Sequence, residues 1–414
     1  MKQEIVTHID NPAYLEKLYR RDKAKFTTSF SEVYPDLADH KLAEFWQERL
    51  AYESSSISWG SKVDLIFVVV ASFIAGLIAK IPATFSISED FFYPRNIGFI
   101  LFPFLIAFFA WKNNISTKMI AIIAAIIAVC LLYINLLPDN TGSDTVILAC
   151  LHLPVLLWIL LGAAFAGNDL KDFNKRLDFL RFNGDGIVMI AVLGIAAGIL
   201  SGITFGLFSL IGINIEQFFQ NYIVVFGLPA IPIVATFLTY SNPQLVNKVS
   251  PIIAKLFSPA VLVMLVVYII AIIYSGKDPY NDREFLLLFN SLLIGVMALI
   301  FFSVAETSGQ HKNRSDIWII FLLSLVTIIV NGIALSAIVF RIAEWGFTPN
   351  RLAVLGSNIL MLVHLLIIAS SLFLTIKRKS GTMEVGKSIV KYIPIYFVWA
   401  VIVVFLLPLI FGFE

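Results

Sequence analysis

From Val63 to the carboxyl end the chain repeats one pattern, an apolar run of near-spanning length followed by a short polar connection. The runs fall near 63–81, 97–111, 116–136, 145–166, 186–211, 218–240, 256–275, 285–305, 316–340, 350–376 and 389–411. Roughly 20 apolar residues are what a helix needs to cross the hydrocarbon core of a bilayer. The second run is short and extends back through Asn96. With 59% of residues hydrophobic and 14% charged, a soluble domain has nowhere to hide this surface, so the excess must face lipid. Residues 61–414 therefore read as an all-α, polytopic transmembrane domain of about 11 helices.

Residues 1–60 read differently. Asn11-Pro12 is an N-cap followed by proline at the first helical position. Leu15, Leu18, Tyr19, Phe26, Phe30 and Val33 then recur at helical spacing until Tyr34-Pro35 stops the run. Asp36 is placed to cap a second helix with Leu42, Phe45, Trp46, Leu50 and Tyr52 on its apolar face. The expectation is a small cytoplasmic helical hairpin that leans on a neighbouring surface. It is either a lid on the membrane domain or, through residues 12–52, a docking or self-association module. Ser54-Ser55-Ser56 is a hinge into the membrane.

Lys and Arg set the orientation. One set of connections holds Lys112 and Lys118; Lys171, Lys175, Arg176 and Arg181; Lys248 and Lys255; Lys312 and Arg314; and Lys377, Arg378, Lys379 and Lys387. The alternating connections are poor in both residues, which places the amino terminus in the cytoplasm and the carboxyl terminus outside. Three charged stretches then lie on the outer face without that rule to explain them. They contain Lys80, Glu89, Asp90, Arg95 and Asn96; Arg341, Glu344, Asn350 and Arg351; and the run from Lys277 to Glu284.

In Tyr93-Pro94-Arg95-Asn96 and Thr348-Pro349-Asn350-Arg351 a proline opens a helix and an Arg/Asn pair follows. Unpaired N–H groups at a helix start, joined by an arginine, make an anion receptor for a small molecule or lipid head group. Arg351 and Asn358 share a helix face and carry the pattern inward, and Glu344 is placed to pair with Arg341. The competing reading is an internal ion-pair network in which Glu89, Asp90 or Glu344 neutralises Arg95 and Arg351. Between Arg341 and Asn358, Gly346 ends one helix while Thr348 and Pro349 start the next.

Other features speak to packing. Gly194, Gly198, Gly202 and Gly206 form one stripe where another backbone is expected to approach closely. Pro229 and Pro232 break the sixth run. Asn290, Asn331, Asn358, His152 and His364 lie at depth, either bridging helices or lining a path. Cys130 and Cys150 sit in apolar runs as buried free thiols. The acidic run Asp278, Asp282 and Glu284 lacks a calcium-loop pattern, and no zinc motif, phosphate loop or nucleophile elbow occurs in context. Neither metal nor cofactor is expected, and a net charge of +2 carries no sign of nucleic acid.

Phe92-Tyr93-Pro94-Arg95-Asn96-Ile97-Gly98-Phe99 and Glu344-Trp345-Gly346-Phe347-Thr348-Pro349-Asn350-Arg351 resemble motifs of a bacterial inner-membrane family catalogued as domain of unknown function 4153. That resemblance covers most of the membrane region and implies a polytopic helical fold in the bacterial envelope. It supplies no activity. Three functions fit the residues: a permease or channel-like transporter with an outer-face anion site, a sensor or regulator reporting through the amino-terminal hairpin, and an envelope enzyme acting on a lipid-linked or anionic substrate.

Overall fold

The computed structural model describes residues 1–414 except 22, 38–39, 54–59, 141, 211–212, 244–248, 276–279, 281–282, 308–313, 379 and 414. The Ser54-Ser55-Ser56 hinge, Lys248, Lys312, Lys379, Asp278 and Asp282 lie outside the described residues. The chain forms two compact units, Met1–Gly60 and Ser61–Glu414.

The first unit holds four short helices rather than two: α1 (Lys2–Thr7), α2 (Pro12–Arg21), α3 (Lys23–Val33) and α4 (Lys41–Glu53). Asn11 does cap α2, its Oδ1 accepting from the Tyr14 N–H at 3.1 Å. Asp36 does not cap α4; it sits in a tight 3₁₀ turn, Tyr34–Leu37, because Pro35 rules out a continuing α-helix. Ile5, Leu15, Phe26, Phe30 and Trp46 are fully buried together, while Phe45, expected inside, is 58% exposed. Arg49 ties α4 to α2: it stacks over Tyr19 and Trp46 and pairs with Glu16 at 2.8 Å.

The second unit is an all-α polytopic membrane bundle. Among the described residues eleven helices are long and apolar enough to cross a membrane. They are α5 (Lys62–Phe85), α6 (Glu89–Lys112), α7 (Thr117–Leu136), α8 (Asp144–Ala166), α9 (Phe173–Leu210), α10 (Glu216–Ser241), α11 (Ser250–Ser275), α12 (Arg283–Thr307), α13 (Arg314–Trp345), α14 (Pro349–Ile376) and α15 (Thr382–Ile410). Side chains such as Val69, Leu132, Ile195 and Val263 are more than 60% exposed, which only a lipid surround makes tolerable.

Two lobes divide the core. One gathers α5–α8, α10 and the end of α15 around Phe109, Ile134, Leu157 and Val404. The other gathers α11–α14 and the start of α15 around Phe289, Ile300, Leu323, Leu365 and Ile389. Helix α9 borders both. Close approach falls at single glycines: a Cβ at Gly76, Gly184 or Gly356 would overlap the ring of Phe226, Phe302 or Trp399 respectively. At Gly194, Gly198, Gly202 and Gly206 it would meet nothing within 4 Å. The expected close packing of that stripe does not occur among the described residues.

Pro229 and Pro232 do not break α10. A π-helical turn, Phe219–Val224, precedes them, and a second one, Ile402–Leu406, precedes Pro408 in α15. The carbonyl four residues before Pro408, that of Val404, falls within its π-turn, where the wider turn relieves the clash with the ring. Lys80 caps the irregularity in α10, donating to the Asn221 carbonyl at 2.7 Å.

Candidate functional site

The cation-poor connections gather at one end of the bundle and the cation-rich ones at the other. Arg95 and Arg351 both belong to the cation-poor end, since α6 and α14 start there and an even number of spans separates them. Neither waits for an anion. Helix α6 begins at Glu89, so Pro94 lies inside it and Arg95 is in its second turn. The buried Arg95 guanidinium donates to the carbonyls of Ile134 (3.2 Å) and Pro138 (2.8 Å) at the end of α7 and lies over the Phe91 ring. Asn96 pairs reciprocally with Asn135, two bonds of 2.9 Å.

Arg351 makes the same choice closer to home. Gly346 ends α13 at φ 74°, Thr348 caps α14 by accepting from the Arg351 N–H at 3.3 Å, and Pro349 opens the helix. The Arg351 side chain then turns back and donates to the Trp345 and Gly346 carbonyls, both at 2.8 Å. The last carbonyls of a helix lack intrahelical partners and carry its negative dipole end, so each arginine has found its negative charge there. Arg181 repeats the device at the other end, donating to Ala305 near the finish of α12 at 2.8 Å.

These bonds correct the expected ion network. Glu89, Asp90 and Glu344 are exposed, and among the described residues none pairs with Arg95 or Arg351. The Arg341–Glu344 pair does not form; Arg341 lies 5.2 Å from the centre of the Trp345 ring. Asn350 is half-buried, and no side-chain bond joins it to Arg351. Pro229 and Pro232 belong to the first lobe, apart from Asn331 and Asn358 in the second.

The unsatisfied chemistry is inside that second lobe. Asn331 on α13 and Asn358 on α14 are 0% and 1% exposed, and neither amide oxygen nor nitrogen has a hydrogen-bond partner. His364, also fully buried, shares Nδ1 with the Tyr396 hydroxyl at 3.1 Å and leaves Nε2 open. Its ring stacks on Tyr392 and meets Phe301. Asn290 donates to the Leu286 carbonyl at 2.8 Å and leaves Oδ1 open. His152 is different: its Nδ1 is taken by the Leu148 carbonyl of its own helix.

Helical rise sets the depth. Asn331 lies about 21 Å from the carboxyl end of α13 and His364 about 22 Å from the amino end of α14. The two helices meet at one short turn and pack along each other, so both residues sit near mid-bilayer. Asn358 is about 14 Å and Asn290 about 10 Å from the cation-poor end. Toward the other end, Thr327 and Ser324 continue the Asn331 face of α13, both fully buried and bonded to their own backbone. That face ends at a small open cleft lined by Lys255, Ser258, Ser303 and Asp316. There Lys255 faces Asp316 at 3.6 Å and the two serine hydroxyls bond at 2.9 Å.

Buried polar groups therefore recur at successive depths along one lobe within otherwise apolar packing. Four of them, Asn290, Asn331, Asn358 and His364, were visible in the sequence as polar residues at depth; the open state of the Asn290 oxygen, the Tyr396 partner of His364 and the Ser258–Ser303 contact were not. The spacing of Ser324, Thr327 and Asn331, three and four apart, is the signal that marks one helix face. No protein-family model, curated protein or solved structure matches this chain.

Proposed function

We propose that the chain is a permease or channel-like transporter of the bacterial inner membrane, and that its solute path runs through the α11–α15 lobe. The observation that carries this reading is the pair of fully buried, unpartnered amides of Asn331 and Asn358 on α13 and α14, the second of which also carries the buried His364. A polar group in the membrane interior without a partner costs free energy, and such residues mark solute pathways. The distribution of Lys and Arg supports a cytoplasmic amino end and an external carboxyl end. The resemblance carried by the Arg95 and Arg351 motifs supports the inner-membrane location. The engagement of both arginines with carbonyls moves recognition away from the outer loops and into the lobe.

Thiol accessibility tests the path. With Cys130 and Cys150 replaced by alanine, Asn358→Cys and Asn331→Cys should react with a membrane-impermeant maleimide in intact vesicles. Ile329→Cys, at a 55% exposed position on the apolar exterior, should not. Failure of both interior positions to react, while a loop cysteine at Ser86 reacts, removes the pathway.

A further inference from the structure

We infer that the solute is small and uncharged and carries both hydrogen-bond donors and acceptors, as a polyol or urea does, and that Asn358 and then Asn331 with His364 are its successive binding stations. This rests on the transport reading above. Three observations lead to it.

The first is charge. No Asp, Glu, Lys or Arg occurs at 256–275, 285–305, 317–340, 352–376 or 392–413, the spanning parts of α11–α15. The buried carboxylates bordering the lobe, Asp185 on α9 next to the Gly184 that meets Phe302 and Glu306 at the end of α12, lie toward the cation-rich end. An ion taken to mid-bilayer there would give up its hydration with no side chain of opposite charge to replace it, a penalty of several kcal/mol per ion. The second is the backbone. Selective ion paths without charged side chains use unwound segments whose carbonyls face the ion. Helices α12, α13 and α14 are each α-helical from end to end, while the π-turn of α15 packs through Val403 against Leu148 of α8 and Ala353 at the start of α14. Carbonyls along the spanning parts of α12, α13 and α14 are therefore spent on the helices themselves.

The third is the chemistry of the open groups. Each unpartnered asparagine offers one acceptor oxygen and one donor nitrogen from the same amide. His364 adds one open ring nitrogen, whichever tautomer its bond to Tyr396 selects. A solute with hydroxyl or amide groups satisfies these in both directions. An anion needs donors only and a metal cation acceptors only, so each would leave half of every amide unsatisfied. Val330, Ala334, Met361 and Leu365 of the same two helices are buried in the lobe's apolar core, and packing that tight favours a small molecule.

The full chain reconstituted in phosphatidylcholine vesicles decides the matter. Stopped-flow light scattering reads entry of glycerol and of urea, and a voltage-sensitive dye reads ion movement under a potassium chloride gradient. Expected are glycerol or urea entry at least about tenfold above protein-free vesicles, no ion movement above that background, and roughly tenfold slower entry in Asn331→Leu and Asn358→Leu, equivalent to about 1.4 kcal/mol. Asn331→Gln, which keeps the amide, should retain more of the rate than Asn331→Leu. Ion movement without entry of either neutral solute overturns the solute class and leaves the pathway standing. Entry of neither, in a protein whose interior cysteines react with the aqueous maleimide, also overturns the class. Leucine variants as fast as the native chain overturn the assignment of the stations.

Discussion

Replacing Asn331 with leucine should make the protein more stable, and the size of the gain follows from its surroundings. The amide is fully buried, both of its polar atoms lack partners, and its helix neighbours Val330 and Ala334 belong to the lobe's apolar core. Leaving a buried donor or acceptor unmade costs roughly 1–3 kcal/mol, and leucine has nearly the same shape without the polar atoms. The reference state in a membrane is not water, because an unpacked segment in lipid also finds partners, which pulls the gain to the lower part of that range, about 1–2 kcal/mol. For a bundle of this size the corresponding rise in Tm is about 1–3 °C. Cys130 and Cys150 supply the assay: both are buried and free, so a thiol-reactive fluorophore reports unfolding in detergent without an added label. Asn358→Leu should behave in the same way, and the two gains should nearly add. Asn331→Asp should move Tm downward, since it places a carboxylate where no cation is near. A fall in Tm for both leucine variants would refute the reasoning, because it would mean that the amides make stabilising bonds in the folded protein.

Further outcomes follow from the same geometry. Arg95→Ala should cost about 3–5 kcal/mol, since it strips two charge-assisted bonds from the end of α7 and leaves buried carbonyls open, whereas Arg351→Ala, half-buried in a surface turn, should cost about 1 kcal/mol; comparative thermal unfolding reads both. Gly76→Val and Gly356→Val should abolish well-folded yield on gel filtration, while Gly198→Ala should be silent, because only the first two sites face an aromatic ring. In the amino-terminal unit, the bonds from Arg20 and then Arg49 hold the Glu16 carboxyl below its ordinary range. A depressed carboxylate stabilises the folded form above its unfolded pKa and loses that contribution as pH falls through the folded value, so hydrogen exchange in residues 12–33 should quicken below about pH 4.5. Glu16→Gln should flatten that pH dependence.

Much of this architecture was legible because lipid leaves so few solutions. Apolar runs of the right length gave the eleven helices, and the turn from Trp345 to Pro349 could be read residue by residue: glycine at positive φ, threonine cap, proline at the first position. Local chemistry of that kind lies within a few neighbouring residues. Where the outcome depended on distant contacts, pattern misled. Four glycines in register announce a groove, but only the rest of the bundle decides whether a backbone enters it; the contacts went instead to Gly76, Gly184 and Gly356, which stand alone in the sequence. Pro229 and Pro232 announce a break, but the helix runs on through both.

The two arginines show why the site itself was harder. An arginine near a helix start has the wrong sign for the dipole beneath it, so the sequence demands a negative partner without saying which. A bound anion, a carboxylate and the carboxyl end of another helix all meet that demand. For Arg95 the partners are Ile134 and Pro138, some forty residues away, and no local rule selects them. Once those carbonyls are supplied, the most conspicuous charged residues of the chain become staples between helix ends. The unmet demand then passes to neutral amides that looked like ordinary helix bridges: Asn331 and Asn358 bridge nothing, and their open atoms are what a hydrogen-bonding solute would complete.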